Sequence, residues 1–160
     1  MGLFISFEGI EGCGKTTQIQ LLAHYLESRG LSCILTREPG GTAVGEAIRE
    51  IFLRSSNTAL IPLTELLLVT AARVQHIHEV IIPGLAAGRI VLCDRFFDAT
   101  AAYQGYAAGA PLELIRRSHE LFCDNLAPDL TLLLDCPLEL GLARSRARNK
   151  AAGQELAEGR

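Results

Sequence analysis

The residues best suited to chemistry in this chain stand in one short stretch. Gly9, Gly12, Gly14, Lys15 and Thr16, in "GIEGCGKT", satisfy the spacing G-x-x-x-x-G-K-[ST]. Glycines let a loop take left-handed angles and turn its N–H groups inward. The lysine brings a compact cation, and the threonine hydroxyl is a hard oxygen ligand for Mg²⁺. Such a set holds the phosphates of a nucleoside triphosphate, with Lys15 reaching the β- and γ-phosphates and Thr16 reaching the metal. Ile10, Glu11, Cys13 and Thr17 complete the loop and share its backbone contacts. Asp94, which closes "IVLCD", stands where a second metal contact belongs. Glu11 is the anomaly, because a carboxylate inside an anion-binding loop should repel its ligand.

The motif needs a strand before it and a helix after it. "LFISFE" is a short apolar run that stops at a glycine, which predicts a buried strand at Leu3–Glu8. Lys15–Ser28 has Ile19, Leu22, Ala23 and Leu26 on one face and Gly30 just beyond, which predicts a helix and its stop. "SCILT", "RIVLCD" and "LTLLLD" read as three further strands. Helices are expected over Val44–Leu53, over Leu63–Ile82, on both sides of "YQGYAAGAP", and from Pro137 onward. Near-continuous apolar strands alternating with helices predict an α/β fold with a parallel sheet covered on both faces. With 160 residues, no repeat and no linker, one domain over 1–160 is expected.

Composition excludes several classes. A formal charge of −3 with scattered basic residues argues against a nucleic-acid partner. No run approaches the roughly 20 apolar residues of a membrane span. Five cysteines without a C-x-x-C pair read as free thiols, which points to the cytoplasm. His76 and His78 fall on different faces of one predicted helix and so do not form a metal pair, and His24 and His119 read as surface or boundary residues.

Five motifs occur in order: "FEGIEGCGKTT", "TREPGGT", "AARVQ", "CDRFFDATAAYQG" and "PDLTLLLD". Over Leu3–Arg148 the set resembles the bacterial thymidylate kinases, P-loop nucleoside monophosphate kinases that phosphorylate dTMP with ATP. The resemblance implies a three-layer P-loop NTPase fold with sheet order 2-3-1-4. It also gives Glu11 a purpose, since the family's loop carboxylate faces the 3′-hydroxyl region of the acceptor sugar. Carried over residue by residue, Arg95 and Arg49 are the arginines on the acceptor phosphate, and Glu38 is a carboxylate near the phosphate and the lysine. Arg73, Thr100 and Gln104 are polar contacts to the thymine. Gly12 stands where some relatives carry an arginine, so the basic residues come from a lid opening within 137–160. Arg144 and Arg148 of "ARSRARNK" are the lid arginines expected to join Lys15, Glu11 and Arg95 in catalysis. The family also implies a homodimer, here through the long helix around 63–82.

Two departures stand out. The family usually places Phe or Tyr at one of the two positions before "AAR", where it stacks on the base, and here these are Val69 and Thr70. The family pattern also continues past "AEGR" with the rest of the lid, a helix, a fifth strand and a final helix. These departures leave two other readings open: a kinase for a different nucleoside monophosphate, and a P-loop module that binds nucleotide without turnover.

Overall fold

A computed structural model describes residues 2–54 and 60–151. Four parallel strands, β1 (Leu3–Glu8), β2 (Cys33–Arg37), β3 (Ile90–Asp94) and β4 (Leu130–Leu133), form one sheet of order β2-β3-β1-β4. The expected order 2-3-1-4 is the one found. The register sets Phe7 beside Asp94 and Glu8 beside Leu133, so the C-terminal ends of the strands line up along one edge.

The apolar strands are buried because helices cover both faces. Helix α1 (Lys15–Ser28) lays Ile19 and Ala23 on Ile5, Phe7, Cys33 and Leu92. On the other face Phe4, Val91 and Cys93 pack with Ile77, Ile81, Phe96 and Cys123. Phe4 meets Phe96 edge-on at 5.0 Å. Each phenylalanine buried this way stabilises the fold by about 2–3 kcal/mol. β4 lies at the sheet edge, and its Leu130 and Leu133 are exposed.

The remaining helices are α2 (Ala43–Arg54), α3 (Pro62–His76), α4 (Ile82–Ala86), α5 (Phe97–Thr100), α6 (Leu112–Phe122) and α7 (Leu138–Ala151). The long helix expected over 63–82 is therefore a composite. α3 passes through a π-helical turn, Ile77–Ile81, into α4. Pro83 lacks an N–H, and it falls in the first turn of α4, where none is needed. A second π-helical stretch, Ala101–Ala107, follows α5 and carries Gln104.

One histidine differs from expectation and a second proves to be deep in the core. His119 is buried between the Phe96 and Phe97 rings, and its Nε2 is 2.9 Å from Leu126 O. His76 is fully buried inside α3. Among the described residues no helix is long and apolar enough to cross a membrane. The end of the expected lid region, 152–160, lies outside the described residues.

Candidate active site

β1 delivers the chain to the phosphate loop at the C-terminal edge of the sheet, and α1 leaves it with its N-terminus facing the same way. Gly9, Gly12 and Gly14 have φ of 139°, 74° and 102°, angles that a side chain would strain. Lys15 is nearly buried, and its Nζ donates to Gly9 O and Ile10 O, both at 2.9 Å. Cys13 Sγ lies 3.6 Å from the same amine. Thr17, the third residue of α1, is exposed.

Thr16 Oγ1 donates to Asp94 Oδ2 at 3.1 Å, so two residues 78 apart in sequence meet as the metal reading expects. A hydroxyl and one carboxylate suit Mg²⁺, which takes few protein ligands and fills its shell with phosphate oxygens and water. Among the described residues no cluster of three or more acidic, His or Cys side chains offers an all-protein metal cage.

Arg95 has φ 73°, a conformation uncommon for a residue with a side chain. Its N–H bonds to Phe7 O at 2.9 Å, which locks the turn, and its guanidinium lies 5.2 Å from the centre of the Tyr103 ring. The turn thus separates neighbours, with Asp94 facing the loop and Arg95 facing an adjoining cavity.

That cavity has a volume of about 240 Å³. Glu11, Glu38, Arg49, Arg73, Arg95, Thr100 and Gln104 all line it, so the seven substrate residues expected from the sequence converge on one space. Arg49, on α2, donates to Pro39 O at 3.0 Å. Burial, reinforced by nearby Arg37, lowers the pKa of its guanidinium, which stays cationic at neutral pH. Gln104 Nε2 donates to Glu65 Oε2 at 3.3 Å. Arg73 is buried, and its Nε donates to Glu38 Oε2 at 2.7 Å.

Glu11 faces this cavity while its backbone belongs to the loop. Its Oε2 accepts a bond of 3.0 Å from Ser145 on α7. α7 also touches the loop at Gly12, where an added Cβ would run into Gly141 O. Arg144 and Arg148, on the same helix, are exposed and do not line the cavity.

Of the two positions without an aromatic, Val69 lines the cavity. Thr70 instead turns its hydroxyl back to Leu66 O at 2.7 Å. Three aromatic residues line the cavity: Tyr103 is exposed and Phe52 half-buried, whereas Phe96 is buried against Phe4.

Glu8 escaped the sequence reading, where it only closed a strand. It is buried, and its Oε1 accepts the Phe96 N–H at 2.7 Å, which ties β1 to the turn after Arg95. Burial raises its pKa, and the Phe96 bond opposes this in part. The unfolded chain then loses this proton at lower pH than the folded one. Stability therefore falls as pH rises from the ordinary carboxylate value through the raised one. Glu8→Gln keeps the acceptor without the charge, so it should raise the melting temperature at neutral pH and flatten that slope. Thermal unfolding from pH 4 to 8 checks it, and a lower melting temperature at pH 7 would contradict the assignment.

The sequence profile described as Thymidylate kinase matches residues 7–158. The thymidylate kinase of Pelobacter propionicus is 56% identical over 152 residues, covering 95% of this chain and 69% of that protein. The one from Syntrophotalea carbinolica is 55% identical over 160 residues, covering 100% of this chain and 74% of the relative. The crystal structure of thymidylate kinase from Ehrlichia chaffeensis superposes with a TM-score of 0.79 at 41% identity, covering 95% of this chain and 86% of that one. With a phosphate loop opening onto a cavity ringed by arginines, and relatives of this closeness along nearly its whole length, the chain belongs to the thymidylate kinase family.

Proposed function

We propose that the chain transfers the γ-phosphoryl group of ATP to dTMP, giving dTDP and ADP. The observation that carries this reading is the position of Glu11, a residue of the phosphate loop that also lines the cavity. Donor and acceptor sites therefore share a wall, as a direct in-line transfer requires.

The loop amides and Lys15 hold the donor phosphates, and the amine follows the charge that moves onto the leaving oxygens. Thr16 and Asp94 are the residues to hold Mg²⁺, which, when bound, screens the charge on the β- and γ-phosphates. On the acceptor side Arg95 and Arg49 present guanidinium groups to the dTMP phosphate, a task suited to their planar fork. Glu11 accepts a hydrogen bond from a sugar hydroxyl, and Arg73, Thr100 and Gln104 address the base. Arg144 and Arg148 stand on α7, from which they can reach the transferring group when that helix closes. No covalent intermediate is needed.

An ADP-release assay with ATP and Mg²⁺, with and without dTMP, tests the reading. Release that depends on dTMP supports it. Faster release with dUMP, dCMP, AMP or GMP would mean another nucleoside monophosphate kinase, and ATP binding without release would mean a binding module.

Val69 gives a prediction on selectivity. Val69→Phe restores a ring at the cavity wall, and stacking on a base contributes about 1 kcal/mol at the low end. A dTMP Kd about fivefold lower is the expected calorimetric result. An unchanged Kd would show that the wall at Val69 does not meet the base.

A homodimer through α3 is part of the same proposal. Leu63 and Leu67 are exposed on that helix in the single chain, while Leu66 and Val69 face inward. A sedimentation mass of one chain at micromolar concentration would remove it. Five free cysteines fit a reducing compartment such as the cytoplasm.

A further inference from the structure

His76 does not line the cavity, yet it anchors a chain of polar side chains that ends there. Its Nε2 lies 2.6 Å from Thr36 Oγ1 and its Nδ1 lies 2.9 Å from Glu38 Oε1. The other Glu38 oxygen accepts from Arg73 Nε at 2.7 Å. Arg73 Nη2 then donates to Thr100 Oγ1 at 2.8 Å and to Phe96 O at 3.2 Å. His76 and the side chains of Glu38 and Arg73 are almost wholly buried. Glu38, Arg73 and Thr100 line the cavity, whereas Thr36 and His76 stand behind them.

The hydrogen-bond roles follow from the atoms. A carboxylate only accepts, so Nδ1 must carry a proton and donate to Glu38. In the neutral ring Nε2 accepts the Thr36 hydroxyl proton, and in the cationic ring the Thr36 oxygen accepts instead. The network is complete in either state, so the role of His76 is geometric. The terminal torsion of a glutamate is soft, and one bond to Arg73 would leave the carboxylate plane free to turn. A second donor on the other oxygen fixes it. The loop after β2 closes on the same ring, since a Cβ at Gly41 (φ 76°) would stand 2.7 Å from His76 Cδ2. With Nε and Nη2 committed, Arg73 keeps Nη1 without a protein partner among the described residues.

We propose that His76 is a positioning residue for the acceptor nucleotide. Through Glu38 it sets the plane of the Arg73 guanidinium, so that Nη1 meets the bound nucleotide at a fixed angle. The proposal rests on the dTMP reading above.

Three variants separate positioning from general support of the core. Asparagine can place an amide N–H near the Nδ1 position, glutamine reaches only toward the Nε2 position, and leucine supplies neither. In calorimetry His76→Gln and His76→Leu should raise the dTMP Kd tenfold or more, with the Kd of a non-hydrolysable ATP analogue unchanged. His76→Asn should stay within about threefold of the parent. A purely structural histidine would lower the melting temperature in all three and weaken both nucleotides together. That pattern overturns the proposal, as does an unmoved dTMP Kd in His76→Gln. Thr36→Val frees the Nε2 side without touching the ring and serves if the histidine variants do not fold. It should weaken dTMP severalfold, and no change would again overturn the role. If the parent chain bound no dTMP, the acceptor reading and this proposal would fall together. Normal dTMP binding by both parent and His76→Gln would remove only the positioning role.

Discussion

Replacing Lys15 by alanine lowers kcat/KM by about two to three orders of magnitude while the protein stays folded. In the resting loop the amine makes two bonds of 2.9 Å to backbone carbonyls and approaches one sulfur. Losing such bonds costs stability on the order of 1 kcal/mol each at most, because loop carbonyls near the surface can turn to water. Catalysis loses more, since a preorganised charge at the transferring phosphoryl group is worth about 3–4 kcal/mol in the transition state. Each 1.36 kcal/mol is about a factor of ten in rate. The ADP-release assay measures the loss, and a thermal melt of the same sample shows that the fold survives. Activity within fivefold of the parent would mean that Lys15 does not reach the phosphates.

Arg73→Met produces the largest loss of stability, about 3–5 kcal/mol. The Arg73 and Glu38 side chains are each 3% exposed, so the pair is sealed from water. Removing one partner of a buried ion pair strands the other charge, and that penalty exceeds the net worth of the pair. Methionine fills much of the volume but leaves Glu38 with His76 alone, and it gives up the Phe96 and Thr100 bonds. In a chain of this size the melting temperature should drop by about 10 °C. Adding Glu38→Gln removes the stranded charge, so the double variant should regain part of the loss in a thermal cycle. A double variant less stable than Arg73→Met alone would show that the pair is not the source of the effect.

The two effects fall on parts of the site that differed in how readily the sequence disclosed them. The loop was legible because its ligands are contiguous, and a strand, three glycines, a lysine and a helix follow one another within fifteen residues. The sheet order and the convergence of Glu38, Arg49, Arg73 and Arg95 came from the ordered motifs, since no local pattern tells an arginine which cavity it will line. What stayed hidden depends on pairing across elements. Glu8 looked like a strand end because Phe96, its donor, lies 88 residues away. His76 looked inert because Thr36 and Glu38 sit on the far side of α2, 40 and 38 residues distant. The π-helical turn inside the long helix was equally silent, because the apolar pattern runs through Ile77, Ile81 and Ile82 without a break.

The contact between Gly12 and Gly141 acts as a fulcrum. Two backbones that meet without side chains leave almost no play, and Ser145 pins the Glu11 carboxylate one turn further along. Were α7 to swing, the close contact would make it turn about Gly141, and the Ser145 bond to Glu11, on an arm of about 6 Å, would have to break. Arg148 is seven residues beyond that point, an arm of about 10 Å at the helical rise of 1.5 Å per residue. A rotation of about 30° carries its backbone roughly 5 Å, and Arg144, on an arm of about 4–5 Å, moves less than half as far. The two arginines thus sit on a lever with unequal throws. The same small tilt serves for fine adjustment at one and for long reach at the other.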